Sequence, residues 1–543
     1  MRNNERGSSL LIVMLMIMVF TVLGLSILST SIGGAKRTAV REEQVTGDLD
    51  TIRYLGEAVA FIKATIDKEY HDSISVEEYT QLVNNKLLVT NEHFQIQNKT
   101  GDFITADYTE DSFGFTRVLE VTSGKFSQLV YITGIPSFLK YAVGSRGILT
   151  LNGSTFVEEG NIYAKDLVIA NQAKYIYNTK QFNNPNRVIA TSFPSVSSPT
   201  KNLLYIENEN IKICSSSDCY DTINHQQKVG TFPTYKINEI LNGAIKPFNP
   251  VMPQYTKEDT EFIEVDIEKT FKEKLQAAGF LESYVNPHSK TVSEIIEDKL
   301  TTTDPWPIKL INSFETVNYD TTTNGYKSYL FKSDQDIYFD TDSLILDKDK
   351  WIVIDGNAII ENDEKETMSV SANILVHGNL TIRGNIEFNS TIYVYNEREE
   401  EMGITTINNV NIKGYKDGEL ILMSQGPLEI ARINKEANNI DKLEEEQENS
   451  IKAYLYTNTN AEVYAIGSYL DIEGGIFAKG NLEINAFRGR VKYAPEDIIF
   501  DSKSDKEESR LIVRNNKKLF HNHAQGLPKV KKLEVITDLM KKD

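Results

Sequence analysis

The chain has 543 residues, of which 40% are apolar, and a formal net charge of −19. This length is several times that of a typical domain and predicts more than one structural unit. The acidic balance argues against nucleic acid as a partner, because phosphate binding needs a basic surface.

The first predicted element is a membrane-spanning helix. Residues 8–35 contain no charged residue and no histidine, and residues 10–28 are nearly all Leu, Ile, Val and Met. About 20 apolar helical residues cross a bilayer core of about 30 Å. A secretion signal has a shorter apolar region, but the small residues of STSIGGA leave an ordinary cleavage near Ala35 open. Basic residues flank both ends of the run, so charge alone does not choose an orientation.

An amphipathic helix is predicted to continue from the apolar run to about Tyr70. Its apolar residues recur at three- and four-residue steps, which places them on one face of an α-helix. This predicted apolar stripe consists of Val45, Leu49, Ile52, Leu55, Val59, Ile62 and Ile66.

The N-terminal pattern resembles that of type IV pilins and pseudopilins, and in particular the PilX-type domain of pilus-assembly proteins. The shared features are a charged leader, RGSSLLIVMLMIMVFTVLGLSIL and then GEAVAFI. The resemblance implies that prepilin peptidase cuts between Gly7 and Ser8 and that the helix from Ser8 is kept. Most pilins have Glu at the fifth mature position, where this chain has Ile12. That departure fits a minor or tip subunit better than a fibre-building one.

The body of the chain is marked by a six-residue repeat. Each hexad begins apolar–x–apolar and ends in small or turn-prone residues such as HGN, RGN and NST. Apolar residues two apart point to the same side of a strand, and Gly-Asn pairs favour turns. The repeat predicts stacked coils of about 18 residues that bury a shared apolar side. Its clearest members are Ile374, Val376, Leu380, Ile382, Ile386, Phe388, Ile392 and Val394.

Similar steps occur near residues 144–178 and across 350–495. The second region resembles the right-handed β-helix of bactofilins and of pilus-assembly proteins that join a prepilin helix to a solenoid. We therefore expect a mainly β protein with a long N-terminal α-helix, a right-handed β-solenoid body and an inserted α+β region. A β-sandwich, whose strands also alternate, is the alternative.

These patterns divide the chain into seven predicted segments. They are a leader (1–7), a transmembrane and amphipathic helix (8–70), a strand-rich head (71–140), first solenoid steps (141–179), an inserted α+β region (180–345), the main solenoid (346–500) and a basic polar tail (501–543). The acidic runs at 397–401 and 442–448 are interpreted as solvated loops or coil insertions.

Two cysteines, Cys214 and Cys219, lie close together in CSSSDC. Their spacing permits a disulfide if the domain lies outside the cell and if the Cα atoms come within about 7 Å. Two cysteines without a nearby histidine are too few for a structural zinc site.

No residue is nominated as catalytic, and no cofactor or metal is expected. The sequence contains no phosphate loop and no GxSxG elbow. His377 ends a hexad, so an exposed side chain is expected, with an acyltransferase-like role as the alternative. Calcium binding by Asp334, Asp336, Asp340 and Asp342, and metal binding by His521 and His523, are left open.

The preferred functional hypothesis is a non-enzymatic, single-pass membrane subunit of a type IV pilus or related secretion apparatus, with its body on the extracytoplasmic side. Its expected partners are other pilin subunits, prepilin peptidase and membrane lipid. A static anchored scaffold or adhesin that binds a surface polymer is the second hypothesis. A tethered polysaccharide-active enzyme is the third.

Overall fold

We describe the protein from a computed structural model. The structure describes residues 5–543. The exceptions are 72–73, 75, 104–115, 135, 177–185, 199–201, 222–225, 244, 257–261, 263, 283, 303–305, 315–324, 340, 348–349, 363–365, 398–402, 417, 432–449, 468, 494–497, 504, 517–526, 529, 531, 539 and 543.

The described helices, α1 to α6, are Glu5–Glu69, Val76–Leu82, Thr100–Phe103, Ile237–Leu241, Ile267–Ala277 and Val292–Thr301. Strands β1 to β9 are Gln95–Asn98, Arg117–Ser123, Phe126–Thr133, Tyr141–Gly153, Phe156–Glu159, Asn161–Ala170, Gln172–Ile176, Asn186–Ala190 and Ser195–Val196. Strands β10 to β18 are Leu203–Ile206, Asn210–Cys214, Thr234–Lys236, Gln254–Thr256, Ile308–Leu310, Ser328–Lys332, Ile337–Tyr338, Ser343–Ile345 and Trp351–Asp355.

Strands β19 to β27 are Ala358–Glu361, Met368–Ser371, Asn373–His377, Leu380–Phe388, Ser390–Tyr395, Thr405–Gly414, Leu420–Ser424, Leu428–Ala431 and Ser450–Thr457. Strands β28 to β35 are Ala461–Ala465, Leu470–Ala478, Leu482–Ala486, Gly489–Tyr493, Ile498–Ser502, Leu511–Arg514, Glu534–Thr537 and Lys541–Lys542. The expectation of a mainly β protein with a long N-terminal helix is confirmed.

The chain forms two compact units. Unit 1 comprises residues 1–111, 115–133 and 532–543, and unit 2 comprises 112–114 and 134–531. Unit 1 holds α1 and an antiparallel sheet in the order β1–β2–β3–β34, with β35 also paired to β3. Its last two strands therefore come from the segment that the sequence analysis assigned to a polar tail.

Unit 2 is built on ladders of parallel strands. The longest ladder, called here the first ladder, runs β14–β15–β18–β21–β23–β25–β27–β29–β4–β6–β10–β13. A second ladder runs β16–β19–β22–β24–β26–β28–β30–β4–β6–β11. A third joins β17, β20, β22, β24, β27, β29, β33, β5 and β9.

The order of strands within the ladders differs from their order in the chain. Strand β4 pairs with β29 and β30 on one side and with β6 on the other. The two predicted solenoid regions, 141–179 and 346–500, therefore belong to one sheet. The ladders also include β10, β11 and β14 to β17, which lie in the segment predicted as an α+β insertion.

The hexad residues form the inner core of unit 2. All eight residues from Ile374 to Val394 named above are buried in one cluster, together with Leu149, Leu151, Ile352 and Ile354. The prediction that these apolar positions share one buried side is confirmed. Long strands such as β4, β22 and β24 contribute to two ladders each, so the parallel pairings also close into a barrel-like ring. The pairing pattern alone does not single out a solenoid.

The first ladder is also buried on its outer face. The outward residues stack in register and pack in a second cluster with α5 and α6. Strands that are buried on both faces have nearly continuous apolar sequences, such as WIVID, LILMS and AYLYT. The stacked residues are Val353, Leu375, Tyr393, Met423, Tyr456 and Phe477.

Glycine and asparagine explain the turns between hexads. A Cβ added to Gly378 would lie 2.3 Å from the carbonyl oxygen of Gly356, so only glycine fits this close approach. The Asn357 side-chain oxygen accepts a hydrogen bond from the backbone N–H of Asn379 at 3.0 Å. In the same way, the Asn379 side-chain oxygen accepts from the backbone N–H of Ile404 at 2.8 Å. Each asparagine thus fixes the turn of the neighbouring step.

Candidate functional site

The candidate functional site is α1, whose two halves have different environments. Residues 13–32 are exposed within the structure, with Met14 at 68% and Phe20 at 69%. The helix from Val13 is long and apolar enough to cross a membrane, with a window of mean hydropathy 2.3. A signal sequence would meet the same criterion of length and composition.

Two threonine hydroxyl groups in the apolar half have hydrogen-bond partners within the helix. The Thr21 hydroxyl donates to the carbonyl of Ile17 at 2.6 Å, and the Thr30 hydroxyl donates to that of Ser26 at 2.8 Å. In lipid, an unpaired polar group would cost several kcal/mol. These local hydrogen bonds make Thr21 and Thr30 compatible with a hydrocarbon environment.

The C-terminal half of α1 packs against its own sheet. Leu55, Ala58, Ile62 and Ile66 are each 0% exposed, and their spacing of three, four and four residues puts them on one face. The helix contacts β2, β3 and β34. This half of the helix is therefore an integral part of unit 1.

The structure buries only the C-terminal part of the predicted apolar stripe. Leu55, Ile62 and Ile66 are covered by the sheet, whereas Val45 is 59% and Leu49 is 61% exposed. The three- and four-residue spacing correctly placed these residues on one face of the helix. It could not show how far along the helix the sheet extends.

Polar contacts flank the packed part of α1. The Lys542 ammonium lies 2.6 Å from an Asp48 carboxylate oxygen, and the rings of Tyr54 and His93 stack with centroids 4.2 Å apart. Lys86 lies 2.7 Å from the Glu69 carboxylate and lowers the pKa of that carboxyl by hydrogen bonding. Exposed ion pairs contribute little free energy, so these contacts orient the helix more than they stabilise it.

The predicted processing junction lies at the start of α1. The backbone of Gly7, Ser8 and Ile12 is helical, and their side chains lie outside the described part of the chain, as do Met1 to Asn4. Cleavage after Gly7, and the significance of Ile12, therefore stay predictions.

Cys214 and Cys219 are joined in a disulfide, with their Cα atoms 5.8 Å apart. Cys214 ends β11, and both residues are buried beside Tyr220 and Phe232. The bond closes a short loop at one end of the second ladder.

His377 is buried, so the expectation of an exposed turn residue is wrong. It is 0% exposed, and its Nδ1 lies 2.9 Å from Asp355, whose other oxygen lies 3.2 Å from Lys332. Its Nε2 lies 3.9 Å from Glu397. The histidine is the last residue of β21, and α5 covers it through Phe271.

Glu397 connects this charged cluster to α6. Its carboxylate accepts hydrogen bonds from the backbone N–H groups of Val292 at 3.1 Å and Ser293 at 2.8 Å. Burial alone would raise the pKa of Glu397, but these bonds and His377 lower it. A carboxylate at a helix N-terminus is favoured by the helix dipole. The cluster therefore fastens α6 to the first ladder.

The other candidate metal ligands do not converge in the described residues. Within these ranges, no group of three or more His, Cys, Asp or Glu side chains could hold a metal ion. The Asp336 carboxylate accepts a hydrogen bond from the Asn357 side-chain amide at 3.1 Å. Asp336 therefore takes part in the hydrogen bonds that join neighbouring turns. Asp340, His521 and His523 lie outside the described residues, as do 398–401 and 442–448 of the two acidic runs.

Comparison with known proteins gives a weak structural likeness to a solved pilin structure. No family model matches the chain, and no curated protein matches it in sequence. Among solved structures, the chain is similar to the crystal structure of the competence-associated pilin ComZ from Thermus thermophilus. The identity is 11% and the TM-score 0.30, with 84% of this chain and 85% of that chain covered. A likeness at this level carries no argument about fold or function.

Proposed function

We propose that the protein is a membrane-anchored, pilin-like subunit of a type IV pilus or a related secretion apparatus. The observation that carries this proposal is the division of α1 into an exposed apolar half and a half buried on an antiparallel sheet. An apolar run of that length needs lipid or other apolar helices around it. Ordinary signal cleavage near Ala35 would remove the apolar half alone and leave Leu55 and Ile62 on the sheet, so the first residue of the mature chain distinguishes it from the proposal.

We also propose that prepilin peptidase removes residues 1–7 of this subunit. The new N-terminus would be Ser8, and Ile12 in place of the usual Glu suits a minor or tip subunit. Association of such helices in lipid relies on close packing at small residues. A Cβ added at Gly24 or Gly34 would meet nothing within 4 Å, so both positions are open to a neighbouring helix.

We further propose that unit 2 is a right-handed β-solenoid that serves as the extracytoplasmic body. Its support is the repeated parallel pairing between successive coils, such as Ile352 with Ile374 and Ile374 with Ile392. Parallel crossover connections are right-handed in about 98% of cases. The disulfide agrees with an oxidising location outside the cytoplasm. The proposed role is assembly, tip formation or adhesion rather than catalysis.

Processing can be tested with a Gly7→Leu variant expressed beside a prepilin peptidase. Peptidases of this type accept Gly before the cut in the family that the N-terminus resembles, so the variant should retain its leader. Gly24→Leu, the same substitution inside the apolar half, is the matched control and should be processed normally. Normal removal of the leader from Gly7→Leu would contradict the proposal.

A further inference from the structure

The two tryptophans of the chain have opposite environments. Trp351 is 4% exposed within the outer cluster of unit 2, whereas Trp306 is 51% exposed. Trp306 lies just before β14, which pairs with β15 as the terminal strand of the first ladder. An indole ring that stays half exposed at the end of a sheet leaves a large, rigid apolar face available to a ligand.

The indole is held by its surroundings. A Cβ added to Gly325 would lie 2.6 Å from the edge of the Trp306 ring, so glycine leaves the space that the ring fills. The Lys299 ammonium donates to the Trp306 carbonyl at 2.8 Å. These contacts keep the exposed face of the ring in place before any ligand arrives, which reduces the entropy cost of binding.

A second aromatic ring completes the surface. The Tyr326 ring lies with its centroid 5.1 Å from that of Trp306 and its plane tilted by 49°. The Lys309 ammonium lies 5.8 Å from the Tyr326 centroid, and Lys327 is exposed next to it in sequence. Two rings at an angle, with the Lys309 ammonium beside one of them, form a basic aromatic corner on a chain with a net charge of −19.

We propose that this corner, formed by Trp306, Tyr326 and Lys309, binds a sugar ring of an anionic polysaccharide. The apolar C–H face of a pyranose stacks on an aromatic ring, and an ammonium group pairs with a sugar carboxylate or phosphate. A stable protein partner would bury about 800 Å² per side around an apolar centre. Here the exposed apolar contribution at the corner is two rings, of which Trp306 is 51% exposed. The surface is therefore matched to a ring-sized ligand.

This inference deepens the proposed function and rests on its placement of unit 2 outside the membrane, but it does not depend on how the N-terminus is processed. It assigns unit 2 a ligand class, acidic glycans, that an anchored subunit outside the membrane would meet at a cell surface.

The test is a titration of the full chain in detergent with a polygalacturonate oligosaccharide. A neutral maltooligosaccharide supplies the rings without the charge, and poly-L-glutamate supplies the charge without the rings. Binding is measured by calorimetry, and acrylamide quenching of tryptophan fluorescence reports on Trp306 because Trp351 is buried. We expect polygalacturonate to bind most tightly and to protect Trp306 from quenching.

Variants locate the site. Trp306→Ala should weaken polygalacturonate binding by roughly tenfold or more, and Trp306→Phe should restore part of the affinity. Lys309→Gln should weaken polygalacturonate binding while leaving maltooligosaccharide binding unchanged. Tyr338→Ala removes a ring that is 56% exposed on β16, a strand of the second ladder, and is the matched control, which should bind as the wild type does.

Three results would overturn the proposal. They are a Trp306→Ala variant that binds as tightly as the wild type, poly-L-glutamate that binds as well as polygalacturonate, and failure of both sugars to bind. None of these results bears on leader removal, so this test and the test of the proposed function fail independently.

Discussion

Single residues decide how closely neighbouring turns of the strand ladders in unit 2 approach one another. Gly378 lies against the carbonyl of Gly356, and Gly480 lies in the same way against the carbonyl of Thr459, with added Cβ atoms at 2.3 and 2.4 Å. Asn481 accepts from the N–H of Ile148 at 2.9 Å. The Gly-Asn pairs thus form a repeated turn that also joins residues more than 300 positions apart.

Replacing Gly378 by Ala should destabilise unit 2. The new methyl group would overlap a backbone carbonyl that cannot move without shifting a strand, so we expect a loss of about 1–3 kcal/mol. Denaturant unfolding followed by circular dichroism measures this loss. Gly230→Ala is the control, because a Cβ there meets nothing within 4 Å. Equal stability of the two variants would show that the turn is not tightly packed.

Glu419 should make the stability of unit 2 depend on pH. Burial raises the pKa of Glu419 from 4.5 to about 7, and neighbouring Glu473 adds to the rise. The folded-state pKa is higher than the unfolded one, so the stabilisation is complete below about pH 4.5 and is lost as pH rises to about 7. The full effect is on the order of 3 kcal/mol.

Glu419→Gln should therefore flatten the fall in unfolding free energy between pH 5 and pH 8. Glu297→Gln, an exposed change on α6, should keep the wild-type profile. A Glu419→Gln profile as steep as that of the wild type would contradict the assignment.

His377 shows what local pattern can miss at the residue scale. The following Gly-Asn pair correctly indicated a turn, but the histidine belongs to the strand before it. Its burial results from α5, which packs on the outer face of the first ladder and is separated from His377 by 100 positions or more in the sequence. No spacing within the hexad contains that information.

At the scale of elements, α1 combines an exposed apolar half, which is long and apolar enough to cross a membrane, with a half that packs in unit 1. Its C-terminal half contributes four fully buried side chains to unit 1, and its apolar half contributes none within the described structure. The sequence predicted the length and the stripe of this helix well, because both depend on local period. It could not show that the stripe is covered only from Leu55 onward.

Substitutions on α1 should separate these two roles. Ile62→Ala removes a fully buried side chain and should cost about 2–5 kcal/mol of unit 1 stability. Leu49→Ala removes a side chain that is 61% exposed and should change the unfolding free energy by less than about 0.5 kcal/mol. Limited proteolysis of unit 1 compares the two variants. Equal effects would contradict the packing described for α1.

The strands of the first ladder illustrate a partly successful prediction. The hexad rule identified the inward residues, including Ile374 and Val376, because alternate residues of a strand share a face. It overlooked the outward column through Leu375 and Tyr393, although the continuous apolar runs were a visible signal. The helices that bury this column lie far from the strands in the sequence.

At the scale of the whole molecule, both ends of the chain build unit 1. Strand β34 pairs with β3 over residues separated by about 400 positions, and Gln128 donates to the carbonyl of Asp538 at 2.8 Å. The basic composition of this segment suggested a solvated tail, since pairing over such a distance leaves no local pattern. The sheet of unit 1 is complete only when the end of the chain is present.

Deleting residues 532–543 should open unit 1 without unfolding unit 2. Strand β3 would lose the hydrogen-bond partners of Val130 to Thr133, so trypsin should cut unit 1 faster while the ladder fragment persists. Deletion of residues 541–543 removes only β35 and is the matched control, with a smaller effect expected. Unchanged cleavage after the longer deletion would show that β34 contributes no stability.

The proposed function requires that the chain is trimmed at the start of α1 and that the apolar half of the helix is then retained. Mass spectrometry of the N-terminal peptide of protein extracted from membranes tests it most directly. The proposed function predicts a mature chain that begins at Ser8 and still carries the apolar helix. A chain that begins near Ala35, or one that keeps Met1, would contradict it.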